Sequence, residues 1–441
     1  MAKLDPNRSE CAFTDFKAPY DRDQAVMEAN RCLYCHDAPC VTACPTSIEI
    51  PEFIRKISTG NVRGAARTIF DANIHGMSCA RVCPVEVLCV GACVHNLQHV
   101  PPIQIGKLQR YATDIAYAQR WQFFEAGAAT GTSVGLVGAG PASLACAHEL
   151  RRLGHACTIY EKRAVPGGLD TTGVAPYKMR ADQSLDEVEW IMGIGGIELR
   201  TGVEVGSRPS WAELQAQHDA LFLGFGLGVD TPLSIPGEEL AGVWGAVEFI
   251  ERLKLGKVAV STVRNAVVVG GGNTAIDAVR ELLGLGARTV TMLYRGTEAK
   301  MSGYGHEWEA ALVEGARALW QALPVAVLGR DRVEGLRCLR VDDDKRPVQG
   351  TEFELEADLV LVAIGQAKLG ELVAGLPGVG VERGRILVDG EGRTGNAKIW
   401  AGGDCTNGGM EVVNASAEGK RAARSIHAAL KGGEKGTQGH G

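Results

Sequence analysis

The sequence has no run of about eighteen apolar residues, the minimum that a membrane-spanning helix needs. Its first residues, MAKLDPNRSE, lack the apolar stretch of a secretory signal. Both absences lead to the expectation of a cytoplasmic protein with no membrane partner. An excess of positive charge is missing too. Lys and Arg total 46 against 52 Asp and Glu, a net charge of -6, so there is no bulk attraction to nucleic acid.

What is present fits a soluble globular chain. The 441 residues are 45% hydrophobic and 22% charged, enough for about two to four domains. Of the 13 cysteines, nine lie in the first 125 residues, where helical patterns such as DRDQAVMEANR and VRGAARTIFDANI alternate with them. In a cytoplasmic protein thiols stay reduced, so clustered cysteines point to metal binding rather than to disulfides. The 57 glycines, many following β-branched stretches, suggest tight strand-to-helix turns.

After the loop-like FEAGAATGT the character changes. SVGLVGAGPASLACAHELRRLGHACTIYEK gives strand, glycine turn, helix and strand. Gly138, Gly140 and Ser143 form G-x-G-x-x-S, with Val134 to Val137 as the strand and Ala142 onward as the helix. Such glycines let the backbone turn sharply against a pyrophosphate, which then rests on free N–H groups at the positive end of the helix. Glu161 ends the next strand, where a carboxylate can accept from a ribose. Gly167 and Gly168 just beyond it, and Asp404 in IWAGGDC, resemble flavoproteins with two dinucleotide-binding units and imply FAD. In that family the glycine pair lies near the flavin and the late Asp binds the ribityl chain. The alternative for Asp404 is an ordinary helix N-cap.

A second passage, NAVVVGGGNTAIDAVRELLGLGARTVTMLYRG, repeats the plan through Gly270, Gly272, Asn273 and Ala275. Its second strand ends in Arg295 instead of an acid. A guanidinium there can pair with the 2′-phosphate of NADP, and a solvated surface arginine is the alternative. FAD in one unit and NAD(P)H in the other imply hydride transfer to the flavin, with no side-chain acid or base as catalyst. Cys146, Cys157, Cys338 and Cys405 contain no C-x-x-C, which argues against a flavin disulfide reductase.

The buried-strand pattern ADLVLVAIGQ and a final strand and helix follow, and the tail KGGEKGTQGHG is expected to be flexible. The fold expected is an α-helical domain holding two [4Fe–4S] clusters over residues 1–127, then two Rossmann-like units, the second inserted in the first. The FAD unit would take 128–249 and 366–441, and the NAD(P)H unit 250–365.

The cysteines near the N-terminus fall into two runs. Cys32, Cys35, Cys40 and Cys44 precede Pro45; Cys79, Cys83, Cys89 and Cys93 follow, with Pro84 after Cys83. Thiolates at this spacing bind Zn²⁺ or an iron–sulfur cluster. The C-P ending is that of the bacterial ferredoxin run, whose fourth cysteine serves the other cluster. A flavin in the same chain favours clusters, since it takes two electrons as hydride and releases them singly.

Together CLYCHDAPCVTACPTSIEI, CARVCPVEVLCVGAC, PIQIGKLQRYATD, GAGPASLACAHELRRLG and AGGDC resemble the N-terminal half of dihydropyrimidine dehydrogenase. They are closer still to the flavin and iron–sulfur subunit of its bacterial two-subunit form, with glutamate synthase small subunits as near relatives. The resemblance implies one cluster on Cys32, Cys35, Cys40 and Cys93. It implies another on Cys44, Cys83, Cys89 and Gln109, which leaves Cys79 a bystander. FAD contacts implied in the same way are Glu161, Leu169, Lys178 and Asp404, with Lys178 standing where the mammalian-type enzyme has arginine. Gly296 and Ser302 replace basic residues of an NADPH-using relative and leave NADH open. Glutamate synthase small subunits have an acid in place of Gln109 and lack DAPC, which favours the pyrimidine branch.

The reaction expected is NAD(P)H oxidation at FAD, with electrons passing through both clusters to an FMN/iron–sulfur partner that interconverts uracil or thymine and their dihydro forms. The partner is expected because an FMN barrel takes roughly 250 residues, and this sequence ends one helix after Asp404. Two alternatives stay open. One is the same module serving glutamate synthase or a ferredoxin, and the other is a zinc-bound, nucleotide-sensing structural subunit.

Overall fold

The computed structural model describes residues 4–260 and 262–434. Up to Ala118 the described elements are all helical. Helix Ile50–Ser58 shows why: Ile50, Phe53, Ile54 and Ile57 recur at helical spacing and all four are buried. Helix Val62–Ala72 starts where the Asn61 side chain accepts from the Gly64 N–H, satisfying one otherwise unpaired donor. Helices Gly76–Val82 and Ile105–Ala118 pack together and are clipped by Arg81, which pairs with Asp114 at 2.7 Å.

The helical region has no core of its own. Ile54, Phe70 and Leu108 share one apolar cluster with Leu136, Ala147 and Ile159 of the first nucleotide unit. Phe70 meets Trp190 with ring centroids 4.5 Å apart, a contact worth about 0.5–1.5 kcal/mol beyond burial.

The first sheet is parallel, in the order Ile399–Ala401, Ala220–Leu223, Ser133–Val137, Ala156–Glu161, Ile197–Thr201. Its central strands are buried on both faces, hence their unbroken apolar sequences. The second is also parallel, in the order Val243–Gly245, Leu359–Val362, Asn265–Val269, Thr289–Tyr294, Arg317–Trp320. An antiparallel sheet of Ala322–Gly329, Val333–Arg340 and Phe353–Glu356 lies inside the inserted segment.

The edge expected at 249/250 needs moving. Strand Val243–Gly245 pairs with Leu359–Val362 in the second sheet, and residue 249 lies inside helix Ala246–Leu255. A three-residue strand is too short to announce its sheet in sequence. The chain passes between the units twice, and the two passages pair: Gly228 N–H donates to the Ala367 carbonyl at 2.7 Å, and Ala367 N–H to that of Val229 at 2.8 Å. Helix Val412–Glu434 runs into the tail expected to be flexible; the rest of that tail lies outside the described residues. No described helix is long and apolar enough to cross a membrane.

Candidate functional site

Both glycine turns adopt the backbone their sequences call for. Gly138 has φ +92°, and a Cβ there would come within 2.6 Å of the Gly224 carbonyl oxygen. Ser143, fully buried one turn into helix Pro141–Arg152, fills the space beside Gly224, whose Cβ would lie 2.3 Å from the serine Oγ. Helix and strand therefore pack closely at the third position of the motif.

A cavity of about 610 Å³ opens beyond this turn. Gly138, Gly140, Glu161, Gly168, Leu169, Lys178 and Asp404 all line it, and so does Asn273 of the second turn. Ser143, Gly270, Gly272, Ala275 and Arg295 lie outside its wall.

The cavity suits a dinucleotide. A Cβ on Gly140 would meet only the Gly168 Cα, at 3.9 Å, so the glycine leaves a cradle. No side chain caps helix Pro141–Arg152, which leaves its N-terminal donors for an anion. Glu161 is held ready: its Oε2 accepts from Ala139 N–H and its Oε1 from Arg163 N–H, both at 2.7 Å. Asp404 opens the short helix Asp404–Asn407, with Gly403 at its N-cap. Its Oδ1 accepts from Met410 N–H at 3.1 Å, and burial raises its pKa.

Lys178 sits at the seam between the units. Its Nζ lies 2.8 Å from Glu307 and 2.9 Å from Asp277. Burial works against the ammonium, but those two carboxylates outweigh it and hold the pKa above the ordinary lysine value.

The second turn is built alike. Gly270 has φ +148°, and a Cβ there would strike the Ala363 carbonyl oxygen at 2.2 Å. Helix Asn273–Gly284 also lacks a side-chain cap, since Gly272 stands at its N-cap, and the Asn273 Oδ1 accepts from Tyr304 N–H at 2.9 Å. Ala275 is buried behind it, and a Cβ on Gly272 would approach Ser302 Oγ at 3.6 Å. Arg295 is exposed, Lys300 turns to the Asp343 carbonyl, and a Cβ at Gly296 would meet the Tyr294 ring at 2.5 Å.

The cysteines separate as spacing alone would not divide them. Cys32, Cys35, Cys40 and Cys93 line one small cavity together with Leu33 and Ile54. Cys44 is not part of that wall, although it closes the same run. Cys89, whose thiol burial pushes up, has Cys83 and Cys44 beside it, with Cys40 of the first cavity next in effect. Cys40 is pushed up to about 12 by burial, then by Cys32 and Cys93; bound iron reverses that preference for the thiol form. Gln109 is buried, and its Nε2 donates to the Gly76 carbonyl at 2.8 Å, leaving Oε1 as the amide's acceptor. Cys79 is buried against Cys83 and receives the Asn73 Nδ2 at 3.1 Å. Among the described residues no three His, Cys, Asp or Glu side chains converge closely enough to hold one metal ion. Thiols around a four-iron cluster stand farther apart than those around one tetrahedral ion.

Several residues at the site carry no sequence signature. Asp277, Tyr304 and Glu307 reach the cavity from the inserted unit, and Glu411 from the residue just before the last helix. Asp170 alone had a local signal, as an acid directly after Gly167, Gly168 and Leu169. Cys146, Cys157, Cys338 and Cys405 are all buried, and none lines the cavity.

The family described as dihydropyrimidine dehydrogenase domain II, 4Fe-4S cluster, matches residues 9–121. Pyridine nucleotide-disulphide oxidoreductase matches residues 132–419. The glutamate synthase [NADPH] small chain of Halomonas elongata is 34% identical over 441 residues, covering 94% of this chain and 92% of that one. The NAD-dependent dihydropyrimidine dehydrogenase subunit PreT of Escherichia coli is 33% identical over 409 residues, covering 92% of this chain and 95% of that one. Among solved structures, Mycobacterium tuberculosis FprA in complex with NADPH shares the fold at TM-score 0.56 and 20% identity, over 70% of this chain and 87% of that chain. Lactococcus lactis thioredoxin reductase does so at TM-score 0.55 and 21% identity, over 68% and 99%. With an iron–sulfur domain joined to two nucleotide-binding units, the chain belongs to the pyridine nucleotide-disulphide oxidoreductase family, in the branch that includes glutamate synthase small chains and PreT subunits.

Proposed function

We propose that the chain is the electron-input subunit of a dihydropyrimidine dehydrogenase, oxidising NAD(P)H and delivering electrons to an FMN/iron–sulfur subunit that interconverts uracil or thymine and their 5,6-dihydro forms. One observation carries the reading: Val82 and Pro84, on either side of Cys83, form part of the wall of the nucleotide cavity. A cluster on Cys44, Cys83, Cys89 and Gln109 then stands next to the flavin site. The set of Cys32, Cys35, Cys40 and Cys93, all half-buried, leads onward to the surface.

Bound FAD supplies hydride acceptance and single-electron release, and the clusters conduct one electron at a time. The chain's own residues position the groups. The uncapped helix at Pro141 receives the pyrophosphate, Glu161 the ribose and Asp404 the ribityl chain. The helix at Asn273 receives the nicotinamide nucleotide. We assign 4–127 to the cluster domain, and the inserted unit runs from before Val243 to about 365.

A second reading has support in the similarity to the glutamate synthase small chain: the same input module joined to another large subunit. Anaerobic co-purification decides between them, followed by uracil and thymine assays with NADH and NADPH. Protein without iron, flavin absorbance or bleaching by either nicotinamide would refute both. Zinc in place of iron and sulfide would favour a structural subunit.

A further inference from the structure

Asp170 lines the nucleotide cavity, is 3% exposed, and its Oδ2 has no hydrogen-bond partner among the described residues. The Ser78 hydroxyl faces this carboxyl and donates to Glu187 Oε2. Glu187 Oε1 in turn accepts from the N–H groups of Met77 and Ser78 at 3.1 and 3.2 Å. The three side chains come from helices Leu169–Thr172, Gly76–Val82 and Ala181–Met192, and the second of these runs directly into Cys83.

The charged groups facing Asp170 are Glu187, Lys254 and Asp404. Lys254 does not cap the carboxylate: its Nζ donates to the carbonyls of Asp170, Val174 and Met179 at 3.2, 2.8 and 2.9 Å. Burial pushes the Asp170 pKa up to about 8 and that of Glu187 up to about 7. Both carboxyls therefore exchange protons near neutral pH, where such exchange is most useful.

The proposed reaction leaves one proton to be placed. The C–H bond at the nicotinamide breaks, its two electrons leave singly to two clusters, and the hydrogen remains as H⁺. NAD(P)H and two oxidised clusters thus give NAD(P)⁺, two reduced clusters and one proton. We propose that Asp170 takes this proton and shares it with Glu187 through Ser78, which makes it the proton-holding residue of the redox site. The inference rests on the electron-input reading above.

The test is infrared difference spectroscopy of the anaerobic holoprotein, reduced with NAD(P)H as the source of both electrons and proton and buffered above the Asp170 pKa of about 8. Reduction should raise a buried carboxyl C=O band that shifts in D₂O, is lost in Asp170→Asn and moves in Asp170→Glu. Flavin and iron contents of each variant establish that the site has assembled. Bleaching of flavin and clusters without that band overturns the proposal. So does a band that survives Asp170→Asn and disappears in Glu187→Gln. Failure of NAD(P)H to bleach the protein counts against the electron-input reading alone, because no nicotinamide proton is then released for Asp170 to take.

Discussion

Gly140 and Gly168 face each other across the nucleotide cavity so closely that a Cβ on Gly168 would lie 2.9 Å from the Gly140 Cα. Gly168 also holds φ 56° and ψ -139°, a conformation that side chains other than hydrogen occupy at a cost of about 1–3 kcal/mol. Gly168→Ala should therefore lower both the melting temperature and FAD retention, the latter about tenfold. Gly140→Ala differs, because its Cβ meets nothing closer than 3.9 Å and points into the dinucleotide's space. Flavin content should fall in that variant while the melting temperature of flavin-free protein stays unchanged. Absorbance ratios and thermal melts of the two variants side by side check the contrast.

Glu281 is fully buried in helix Asn273–Gly284, and neither carboxyl oxygen has a partner among the described residues. Burial, then the nearby Asp277, raises its pKa well above the ordinary value. The native state thus holds a proton that the unfolded chain releases above its ordinary carboxyl pKa, so this residue makes stability fall as pH rises until the native pKa is passed. Glu281→Leu should stabilise the protein by about 1–3 kcal/mol at neutral pH, and the gain should shrink toward pH 4. Urea denaturation at several pH values measures it.

The nucleotide turns were legible because their chemistry is local. Gly138, Gly140, Ser143 and Glu161 lie within one strand–helix–strand unit, and the structure brings three of them to the cavity wall. The grouping of Cys93 with Cys32, Cys35 and Cys40 came only from the family resemblance, since in sequence Cys93 closes the second run and the other three open the first. Lys254, Glu307 and Asp277 were invisible. Each lies far in sequence from the 169–180 segment it holds, and a buried lysine on an apolar helix face has no pattern of its own. Strand Val243–Gly245 was missed for the same reason, because only its partner Leu359–Val362 makes it part of a sheet.

Arg295 is the exposed residue at the end of the second unit's second strand, where a 2′-phosphate would lie. Lys300 is engaged by the Asp343 carbonyl and Gly296 offers no charge, so Arg295 would meet the phosphate alone. An exposed single cation contributes modestly. Arg295→Ala should raise KM for NADPH by about tenfold or less, leaving KM for NADH and both kcat values nearly unchanged. Steady-state reduction of an artificial acceptor with each nicotinamide reads this directly. Equal KM changes for both would show that Arg295 does not face the 2′-phosphate.

Cys79 and Gln109 pose the sharpest choice at the clusters, since Cys79 is buried within helix Gly76–Val82, Gln109 is buried against the start of that helix, and only one can complete the set with Cys44, Cys83 and Cys89. The Cys79 sulfur is already engaged by the Asn73 amide, while Gln109 donates through Nε2 and keeps its oxygen. Cys79→Ser should therefore retain full iron and the wild-type paramagnetic spectrum of the reduced protein. Cys89→Ser should lose about half of the iron, that of one cluster of two. Gln109→Leu should either lose the same half or shift the signal and potential of one cluster while the other is unmoved. Gln109→Cys, which offers a thiolate at the same position, should restore iron and lower that cluster's potential, because a fourth anionic ligand favours the oxidised state. Iron loss in Cys79→Ser with none in Gln109→Leu would reverse the assignment.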